Sequence, residues 1–533
     1  IGIAVIGSIL THAGYRVGVI AQPDINSAAD ISRLGAPRLF WGVSGGSIDS
    51  MVANYTALKK KRRSDDFTPG GVNNRRPDRA VIVYSNLIRR YFRPAQPIVL
   101  GGIEASLRRI AHYDYWSDKV RGSILLDAKA DYLLYGMAEK SVLELAAAFN
   151  NRTDTRTIRG LCYTLNQSQV EQIPVDYLEL PGYEQVKSDS RAFIAMYHSF
   201  YQNNDPITAK GIYQQHTNRY VVQNPPPLTP TQDEIDQGYD LDYSRIQHPY
   251  YETQGRVKAL ETIQFSISTH RGCYGECNFC AIAVHEGRTI RSRSEKSILE
   301  EARSFLDHPD FKGIITDVGG PTANMYGFEC AKKIKSGSCQ DKRCLIPGIC
   351  PALKIDHQPQ ITLLKNIRRI PGIKKVFVAS GIRYDMILHD RKYGRQYLHQ
   401  LVGHHISGQM KIAPEHSEQQ VLNLMGKPGL SSLEQFSTWF DQINHEVGKE
   451  QYLTYYLIAA HPGCTDQDMR SLRRFATHTL ETIPEQVQIF TPTPSTYSSV
   501  MYHTGMDPFT YQPIFVEKNL KRKEMQKRIL QSS

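Results

Sequence analysis

Three cysteines stand close together in the sequence, at Cys273, Cys277 and Cys280, with the spacing C-x3-C-x2-C. Cysteine thiolates bind soft metals, and four thiolates normally complete a [4Fe–4S] cluster. Three thiolates on one short loop would leave one iron without a protein ligand. An open coordination position distinguishes a catalytic metal centre from a structural one. The spacing therefore predicts an iron–sulfur cluster with an open iron, which is a feature of an enzyme.

The residues around the three cysteines suit a cluster better than the alternative, a structural zinc ion. Gly272 and Gly275 allow the loop to turn its backbone N–H groups towards sulfide ions, and Phe279 would shield one flank. A zinc site needs a fourth ligand, and the nearest histidines, His270 and His285, are not at zinc-finger spacing. We therefore favour the iron–sulfur cluster over zinc.

A second cysteine group lies further along the chain. Its four members fall within 21 residues and are Cys330, Cys339, Cys344 and Cys350. Four soft ligands so close together could hold an auxiliary iron–sulfur cluster or a structural zinc ion. Their spacing matches neither a zinc ribbon nor a ferredoxin motif, and free thiols in a protein interior are the alternative. Cys162 and Cys464 are interpreted as ordinary thiols.

Residues 1–150 alternate short apolar runs with helical patterns. The predicted strands are YRVGVIAQ, RLFWGVS, RAVIVYS, PIVLGG and DYLLYG, and IEASLRRIAHY and AEKSVLELAAAF have helical spacing. Such alternation predicts an open parallel α/β sheet with helices on its faces. Gly101 and Gly102 follow a strand at the edge where such sheets bind ligands, although a tight turn explains them equally well. The chain begins with Ile1, and we expect its first residues to lie inside a domain whose first strand is missing.

Residues 151–260 are less regular and are predicted to be a connector. The run NPPPLTP at 224–230 excludes a helix or a central strand, because proline lacks a backbone N–H and has a fixed φ. Residues 501–533 form a basic C-terminal tail.

Residues 261–500 show a second series of strand and helix patterns. Its six predicted strands are ETIQFSIS, GIITDVG, KKVFVAS, GQMKIA, LTYYLIAA and QVQIFTP. Six units are too few for a closed eight-stranded barrel, so a partial barrel with an open side or a doubly wound sheet is expected. The three closely spaced cysteines follow the first of these strands, at the carboxyl end where α/β folds place their sites.

The composition is that of a globular protein, and the net charge of +11 over 533 residues is moderately basic. This charge is compatible with an RNA or other anionic partner but does not require one. No apolar run approaches 18 residues, so neither a membrane span nor a signal peptide is expected. Nine cysteines, seven of them between positions 273 and 350, favour metal ligation in the reducing cytoplasm over a disulfide framework.

The cysteine array resembles the signature of the radical S-adenosylmethionine (SAM) superfamily, which includes an aromatic residue before the third cysteine, here Phe279. This resemblance implies a partial (β/α)6 radical SAM barrel. It also implies that SAM binds the fourth iron and is cleaved by an electron from the cluster to a radical that abstracts a substrate hydrogen.

The likeness extends over nearly the whole chain and identifies the YgiQ family of radical SAM proteins. The segments that carry it are HEGRTIRSRSEKSI, Gly-Gly-Pro-Thr after the second strand, KIAPEHSEQQVLNLMGKP, IFTPTPSTYSSVMYHTGMDP, GYRVGVIAQPD and IVLGGIEASLRRIAHYDYWSDKVRGSIL. Family membership does not settle the reaction or the substrate.

The resemblance also implies positions that bind SAM. Gly319 and Gly320 occupy the superfamily's Gly-Gly-Glu position, where the backbone accepts the SAM amino group, and Pro321 replaces the acidic residue. Ser380 and Glu415 follow the third and fourth strands and would bind the SAM ribose or carboxylate. A turn residue at a strand end is an equally good explanation for each of these two.

Two further likenesses concern function. The string QIFTPTPST resembles part of the methylthiotransferases, and the N-terminal segment is similar to Rossmann-like cobalamin-binding domains, although it contains no Asp-x-His-x-x-Gly motif. An electron donor such as flavodoxin or ferredoxin would be a partner. The rival hypothesis is a nucleic-acid-binding protein in which an iron–sulfur or zinc site is only structural.

Overall fold

The computed structural model describes residues 2–531. The ends of the predicted segments 1–150 and 501–533, at Ile1, Ser532 and Ser533, lie outside the described residues. The protein has an α/β fold with a seven-stranded sheet in its first half and a series of parallel strands in its second half. The fold class expected from the alternating patterns is therefore confirmed.

The first sheet has the strand order β1-β2-β5-β6-β9-β8-β7. Its strands are β1 (Trp41–Ser44), β2 (Ile98–Gly101), β5 (Tyr132–Leu134), β6 (Leu161–Asn166), β7 (Leu178–Leu180), β8 (Ile212–His216) and β9 (Arg219–Gln223), and β3 (His112–Asp114) pairs separately with β4 (Lys119–Arg121). β1, β2 and β5 are parallel, as expected for an open α/β sheet. β6 is antiparallel to both β5 and β9, so β5 and β9 run in the same direction.

The segment 151–260 differs from the irregular connector that the sequence predicts, because it supplies β6 to β9 of the sheet. β8 and β9 are short and carry polar residues, as in Ile212–His216, so their alternation is weak as a sequence signal. The proline-rich run at 224–230 is irregular, as the missing N–H groups require.

Two of the predicted N-terminal strands are wrong. The run RAVIVYS belongs to a helix, Ala80–Tyr91, whose buried residues include Val81, Ser85 and Ile88. This spacing of three and four residues is helical, and a short apolar run alone cannot distinguish a strand from a buried helix. The run YRVGVIAQ forms no strand, and its Val17 and Val19 are exposed. The predicted helix IEASLRRIAHY ends at Ser106, and β3 begins at His112.

Helices cover both faces of the first sheet. The helices of this half of the chain are α1 (Gly2–His12), α2 (Ala29–Ser32), α3 (Ser50–Asn54), α4 (Ala80–Tyr91), α5 (Gly102–Ser106), α6 (Ile124–Asp127), α7 (Glu139–Asn151), α8 (Tyr183–Ser188), α9 (Ser190–Gln202) and α10 (Gln232–Tyr239). Successive strand residues point to opposite faces. Ile98 and Leu100 of β2 accordingly pack with α4 and α6, whereas Val99 packs with α1 and α7.

The second half contains the six strand positions that the sequence predicts, in chain order. Its strands are β10 (Ser266–Ser268), β11 (His270–Arg271), β12 (Arg291–Ser292), β13 (Ile314–Ile315), β14 (Asp317–Gly319), β15 (Lys375–Val376), β16 (Gln409–Glu415), β17 (Tyr452–Ala459) and β18 (Val487–Ile489). The second predicted strand is divided into β13 and β14. The antiparallel pair of β11 and β12 follows the first predicted strand, which is β10. All neighbours in the series are parallel, with Ile382 and Ile412 bridging the third and fourth positions. This is the partial barrel.

Helices connect the barrel strands and continue beyond them. They are α11 (Leu260–Ile263), α12 (Ile282–His285), α13 (Glu295–Ser304), α14 (Ala331–Ser336), α15 (Gln358–Arg368), α16 (Tyr384–His389), α17 (Gly394–His404), α18 (Gln419–Met425), α19 (Ser431–Val447), α20 (Asp466–His478), α21 (Tyr497–Thr504) and α22 (Leu520–Gln531). Three short 3-10 helices span Gln167–Gln172, Pro249–Gln254 and Phe305–Asp307. None of the helices within residues 2–531 is long and apolar enough to cross a membrane.

One hydrophobic core joins the barrel to parts of the N-terminal half. It includes Ile315 and Leu457 of the barrel strands, Phe200 of α9, Tyr115 after β3 and Leu530 of α22. The predicted basic tail therefore contains a helix, α22, that packs into the protein. Lys523 of α22 is fully buried and donates a 2.8 Å hydrogen bond to the Tyr502 hydroxyl.

Lys523 should give the stability of the protein a distinctive pH dependence. Burial, and then the charge of nearby Lys59, lower the pKa of Lys523 to about 7, although Glu517 and Asp118 oppose the shift. The unfolded chain then binds more protons than the folded chain between pH 7 and the ordinary lysine pKa of 10.5. Stability should rise with pH in this window, by at most about 1.4 kcal/mol per pH unit. Thermal unfolding of the wild type and Lys523→Met at about pH 7 and about pH 9 measures the effect.

Between about pH 7 and about pH 9, we expect the melting temperature of the wild type to rise relative to that of Lys523→Met. Lys521→Met is the matched control, because Lys521 is exposed on the same helix. A wild type and a Lys523→Met variant with equal pH dependence would contradict this account.

Candidate metal centre

The three predicted cluster cysteines lie on the loop between β11 and α12, at the carboxyl end of the first barrel strand. The loop begins at Gly272, which has a φ of +83°. A Cβ at this position would lie 2.3 Å from the Thr289 carbonyl oxygen, so only glycine fits. The Cys273 N–H donates to the Gly287 carbonyl at 3.3 Å. The start of the loop is therefore held against the segment that returns to β12.

Glu276, between the first two cysteines, is buried and anchors the middle of the loop. Its carboxylate lies 3.3 Å from the Lys333 ammonium, accepts a 2.9 Å hydrogen bond from the Tyr201 hydroxyl, and lies 3.7 Å from the Arg288 guanidinium. Arg343 donates to the Glu276 carbonyl oxygen at 3.0 Å. Glu276 has a φ of +47°, a left-handed conformation that non-glycine residues rarely adopt. These contacts hold a strained loop in one shape.

Asn278 fixes the second part of the loop to elements from the end of the barrel. Its N–H donates to the Met425 carbonyl at 2.8 Å, and its side-chain amide donates to the Leu424 carbonyl at 2.9 Å. The Ser498 N–H donates to the Asn278 carbonyl at 2.9 Å. The ring of Phe279 lies edge-on to His461, with 6.3 Å between the ring centroids. The loop is thus supported from several elements that are distant in sequence.

The thiols of Cys273 and Cys277 face a common space beside Gly275. A Cβ on Gly275 would lie 3.3 Å from the Cys273 Sγ and 3.6 Å from the Cys277 Sγ. The Gly275 N–H donates to the Cys273 Sγ at 3.3 Å, and the Thr322 hydroxyl lies 3.6 Å from the same sulfur. Burial raises the pKa of Cys280, and the neighbouring Cys277 thiol raises it further. The Cys273 and Cys277 thiols therefore border one space, and Cys280 is close enough to interact with both.

The three thiols are not arranged as a ready-made site for one metal ion. Within residues 2–531, no group of three or more His, Cys, Asp and Glu side chains is placed to hold a single metal ion. Burial and then Cys277 raise the pKa of Cys273, while the hydrogen bonds from Thr322 and Gly275 and the charge of Arg383 lower it. The hydrogen bonds and the cation would stabilise a metal-bound thiolate.

Gly319 and Gly320 end β14 next to the cysteine loop. The Gly319 carbonyl accepts hydrogen bonds from the Thr269 N–H at 2.7 Å and from the Thr269 hydroxyl at 3.1 Å, so it is already engaged. Gly320 lies against the His270 ring, because a Cβ there would be 2.6 Å from the ring. Pro321 and Thr322 follow in the chain, and the Thr322 hydroxyl contacts the Cys273 sulfur at 3.6 Å.

His270 is a site residue that the sequence alone does not reveal. It is buried, and its Nε2 has no hydrogen-bond partner among residues 2–531. Burial lowers the pKa of His270 to about 4, so the ring is neutral at pH 7. A buried polar atom without a partner is costly and often indicates a bound ligand. In the sequence, only the position of His270 indicates a role at the site, because it follows a predicted strand and precedes the three cysteines.

Glu415 is the last residue of β16 and Ser380 lies beyond the end of β15 at Val376, and both already have partners. The Ser380 hydroxyl donates to Asp317, whose other carboxylate oxygen accepts the Ser380 N–H at 3.1 Å. Glu415 is buried, has a φ of +71°, and lies 3.8 Å from the Lys427 ammonium. Burial raises the pKa of Glu415, while Lys427 and then Arg383 lower it.

Arg383 is the second site residue that sequence reasoning missed. It follows the third barrel strand and is buried, and it donates two hydrogen bonds to the Asp385 carboxylate, at 2.8 and 2.5 Å. One of its terminal nitrogens would lie 3.7 Å from a Cβ on Gly275, the position that borders the Cys273 and Cys277 thiols. Arg383 thus places a buried positive charge beside the candidate cluster.

The second cysteine group is only partly assembled. Cys330, Cys344 and Cys350 belong to one apolar cluster, which Cys273 also contacts, whereas Cys339 lies outside it. Burial raises the pKa of Cys344 to about 11, with Lys333 opposing the shift. The four residues are therefore not gathered as a single set of ligands.

Family models match both ends of the chain. The Radical SAM N-terminal family matches residues 1–266, and a domain of unknown function, DUF3362, matches residues 485–533. The UPF0313 protein of Fusobacterium nucleatum is 57% identical over 99% of this chain and 92% of that protein. UPF0313 proteins of Methanocella arvoryzae and Thermotoga neapolitana are each 47% identical over 99% of this chain, and over 87% and 92% of their own lengths.

A solved structure supports the fold. The radical SAM methyltransferase TsrM from Kitasatospora setae, determined with cobalamin and a [4Fe–4S] cluster bound, matches with a TM-score of 0.52 and 15% identity. The match covers 92% of this chain and 73% of TsrM. At this identity the likeness concerns the fold alone. The full-length identity to the curated relatives is decisive, and the chain belongs to the UPF0313 family, the YgiQ family of radical SAM proteins.

Proposed function

We propose that this protein is a radical SAM enzyme in which Cys273, Cys277 and Cys280 hold a [4Fe–4S] cluster and the fourth iron binds SAM. When bound, the cluster and SAM would supply reductive cleavage of SAM and abstraction of a hydrogen atom from a substrate. An electron donor such as flavodoxin or ferredoxin and a substrate of unknown identity would complete the reaction.

The observation that carries the proposal is the space that the Cys273 and Cys277 thiols border beside Gly275, with Cys280 close to both. Gly275 contributes an N–H to the Cys273 sulfur and no side chain to the space, in which a Cβ would contact two of the sulfurs. N–H groups near cluster sulfurs and low solvent exposure tune iron–sulfur centres. The loop is held by Glu276 and Asn278, so the chain orients the thiols before any metal binds.

The SAM end of the proposed site lies between the cysteine loop and the end of β14. Gly320 and the unpartnered His270 Nε2 border each other there, beside Thr322 and Cys273. A neutral imidazole can donate or accept a hydrogen bond, which suits the amino or carboxylate group of SAM. Because the Gly319 carbonyl is already engaged by Thr269, Gly320 and His270 are the better candidates for this contact.

Cys277→Ala should abolish both cluster binding and SAM cleavage, because two thiolates cannot retain the cluster. The measurement is anaerobic reconstitution with iron and sulfide, followed by dithionite and SAM, with iron content and 5′-deoxyadenosine as readouts. Cys162→Ala is the matched control, because Cys162 is buried in the core of the first sheet, away from both cysteine groups.

Formation of 5′-deoxyadenosine by Cys277→Ala would refute the proposal. A metal in the wild type that is redox-silent, or a reduced cluster whose electron spin resonance spectrum does not change with SAM, would support the rival hypothesis of a structural site.

Arg383→Gln should make the reduction potential of the reconstituted cluster more negative. A nearby cation stabilises the reduced cluster, and its removal also leaves Asp385 without its ion-pair partner. The shift should be on the order of 50 mV, from an interaction of about 1 kcal/mol in a medium of intermediate dielectric constant. A spectroscopic redox titration measures it, so the test does not depend on turnover.

Arg383→Lys should restore most of the potential, because it restores the charge. Arg395→Gln is the control, since Arg395 is exposed and pairs with Glu446 on another face. An unchanged potential in Arg383→Gln would show that this cation does not act on the cluster.

A further inference from the structure

A cleft lies between the first sheet and the barrel, and none of the three cluster cysteines lines it. Its sheet side is formed by residues 135–137, directly after β5, and by residues 226–230, shortly after β9. β5 and β9 run in the same direction, so both contribute carboxyl ends. The carboxyl ends of strands are where α/β sheets bind ligands, and domain interfaces are common sites for small molecules.

The barrel side of the cleft is the segment that supports the cysteine loop. It comprises Arg271 of β11 and most of the segment from Val284 to Arg291. Gly136, with a φ of +71°, lets the sheet edge approach this segment, since a Cβ there would be 3.4 Å from the His285 carbonyl oxygen. Gly287, which accepts the Cys273 N–H, also lines the cleft. A molecule in the cleft would therefore lie one backbone hydrogen bond away from the first cluster cysteine.

The charged lining is mostly positive. Arg271, Arg288 and Arg291 line the cleft together with one acidic side chain, Glu286. Arg271 is paired with Glu139, and Arg291 donates to Glu329 at 2.8 Å. Each guanidinium has five N–H groups, and one carboxylate uses at most two of them. The cleft therefore has hydrogen-bond donors to offer to an anion.

Arg288 is the residue whose hydrogen bonding is least complete. Only 7% of its surface is exposed, and its Nε has no hydrogen-bond partner among the residues that the structure describes. Its guanidinium lies 3.7 Å from Glu276, which is too far for a hydrogen bond, and stacks 5.0 Å above the Tyr201 ring. The His285 Nδ1, also at the cleft, has no partner in residues 2–531 either. Buried donors of this kind are costly unless a ligand satisfies them.

The opposite wall of the cleft is apolar. It is built from Pro226, Pro227, Leu228 and Pro230, with Met137 beside them. Leu228 is 54% exposed, an unusual position for a large apolar side chain in an otherwise ordered wall. An apolar wall facing fixed guanidinium groups suits a molecule with a ring or carbon body at one end and an anionic group at the other.

We propose that this cleft binds a small organic phosphate, with its phosphate at Arg288 and its body against the wall from Pro226 to Pro230. A phosphate carries up to two negative charges and three acceptor oxygens, which suit several guanidinium groups better than a carboxylate does. The site is separate from the proposed SAM position, and its occupancy does not depend on radical chemistry.

The test uses isothermal titration calorimetry on the full chain, reconstituted anaerobically and saturated with SAM so that an added nucleotide cannot occupy the proposed SAM position. The probes are AMP, adenosine and inorganic phosphate. AMP should bind with one site per chain. Adenosine lacks the phosphate and inorganic phosphate lacks the body, so each should bind at least about tenfold more weakly.

Two variants locate the site. Leu228→Trp fills the cleft from its exposed wall, and Arg288→Gln removes the buried guanidinium; each should weaken AMP binding about tenfold or more. Arg288 also contacts the cysteine loop through Glu276, whereas Leu228 does not, so Leu228→Trp tests the cleft even if Arg288→Gln folds poorly. Arg470→Gln, an exposed arginine on α20, should bind AMP as the wild type does.

The proposal is overturned by an absence of saturable AMP binding, by equal affinity for adenosine and AMP, or by an AMP affinity that Leu228→Trp leaves unchanged. Loss of 5′-deoxyadenosine formation with intact AMP binding would instead count only against the proposed enzyme function, so failures of the two proposals can be distinguished.

Discussion

The carboxylate of Glu276 is the interaction on which the arrangement of the cysteine loop most depends. It lies between the first two cysteines and meets Lys333 from α14, Tyr201 from α9 and Arg288 from the segment before β12. Ion pairs in a protein interior are weak evidence for stability, but removing one partner is strongly destabilising. Glu276 therefore couples the shape of the loop to three separate parts of the chain. A loop of this kind keeps its geometry only while the surrounding elements are docked.

The charges around the cysteine loop are balanced in pairs. Arg383 is matched by Asp385, and Glu415 is matched by Lys427 at 3.8 Å. A cluster with three thiolate ligands brings negative charge into this buried region. Arg383 places a cation beside Gly275 and the thiols, whereas Glu415 is paired with Lys427. Electrostatic control of the centre would therefore come from the carboxyl ends of the third and fourth barrel strands.

The sequence predicted the barrel well because its strands are short apolar runs in a regular alternation with amphipathic helices. The same reasoning failed for RAVIVYS, whose apolar run is long enough for a strand but has the buried spacing of a helix. It also missed β8 and β9, since a strand such as IYQQH lacks an apolar pattern. Local periodicity identifies strands whose buried positions are apolar, whereas two of the buried positions of β8 are the polar residues Gln214 and His216.

The residues of the candidate site likewise fall into two groups, those that the sequence predicts and those that are recognised only in the structure. The three cysteines could be predicted because their chemistry is encoded in adjacent positions. His270 and Arg383 could not be predicted from the sequence. His270 is distinguished by a buried ring nitrogen that has no partner among residues 2–531, and Arg383 is distinguished by its proximity to Gly275. Glu415 lies at a strand end and Ser380 lies beyond one, but their existing partners appear only in three dimensions. The spread of Cys330, Cys339, Cys344 and Cys350 is likewise a tertiary property.

The burial of Lys523 has a consequence for how the protein assembles. Its ammonium group approaches the Tyr115 hydroxyl at 3.5 Å, across a sequence separation of 408 residues. Contacts between such distant residues carry a high loop-closure cost and slow folding. We expect the barrel and the first sheet to acquire much of their structure before this contact closes.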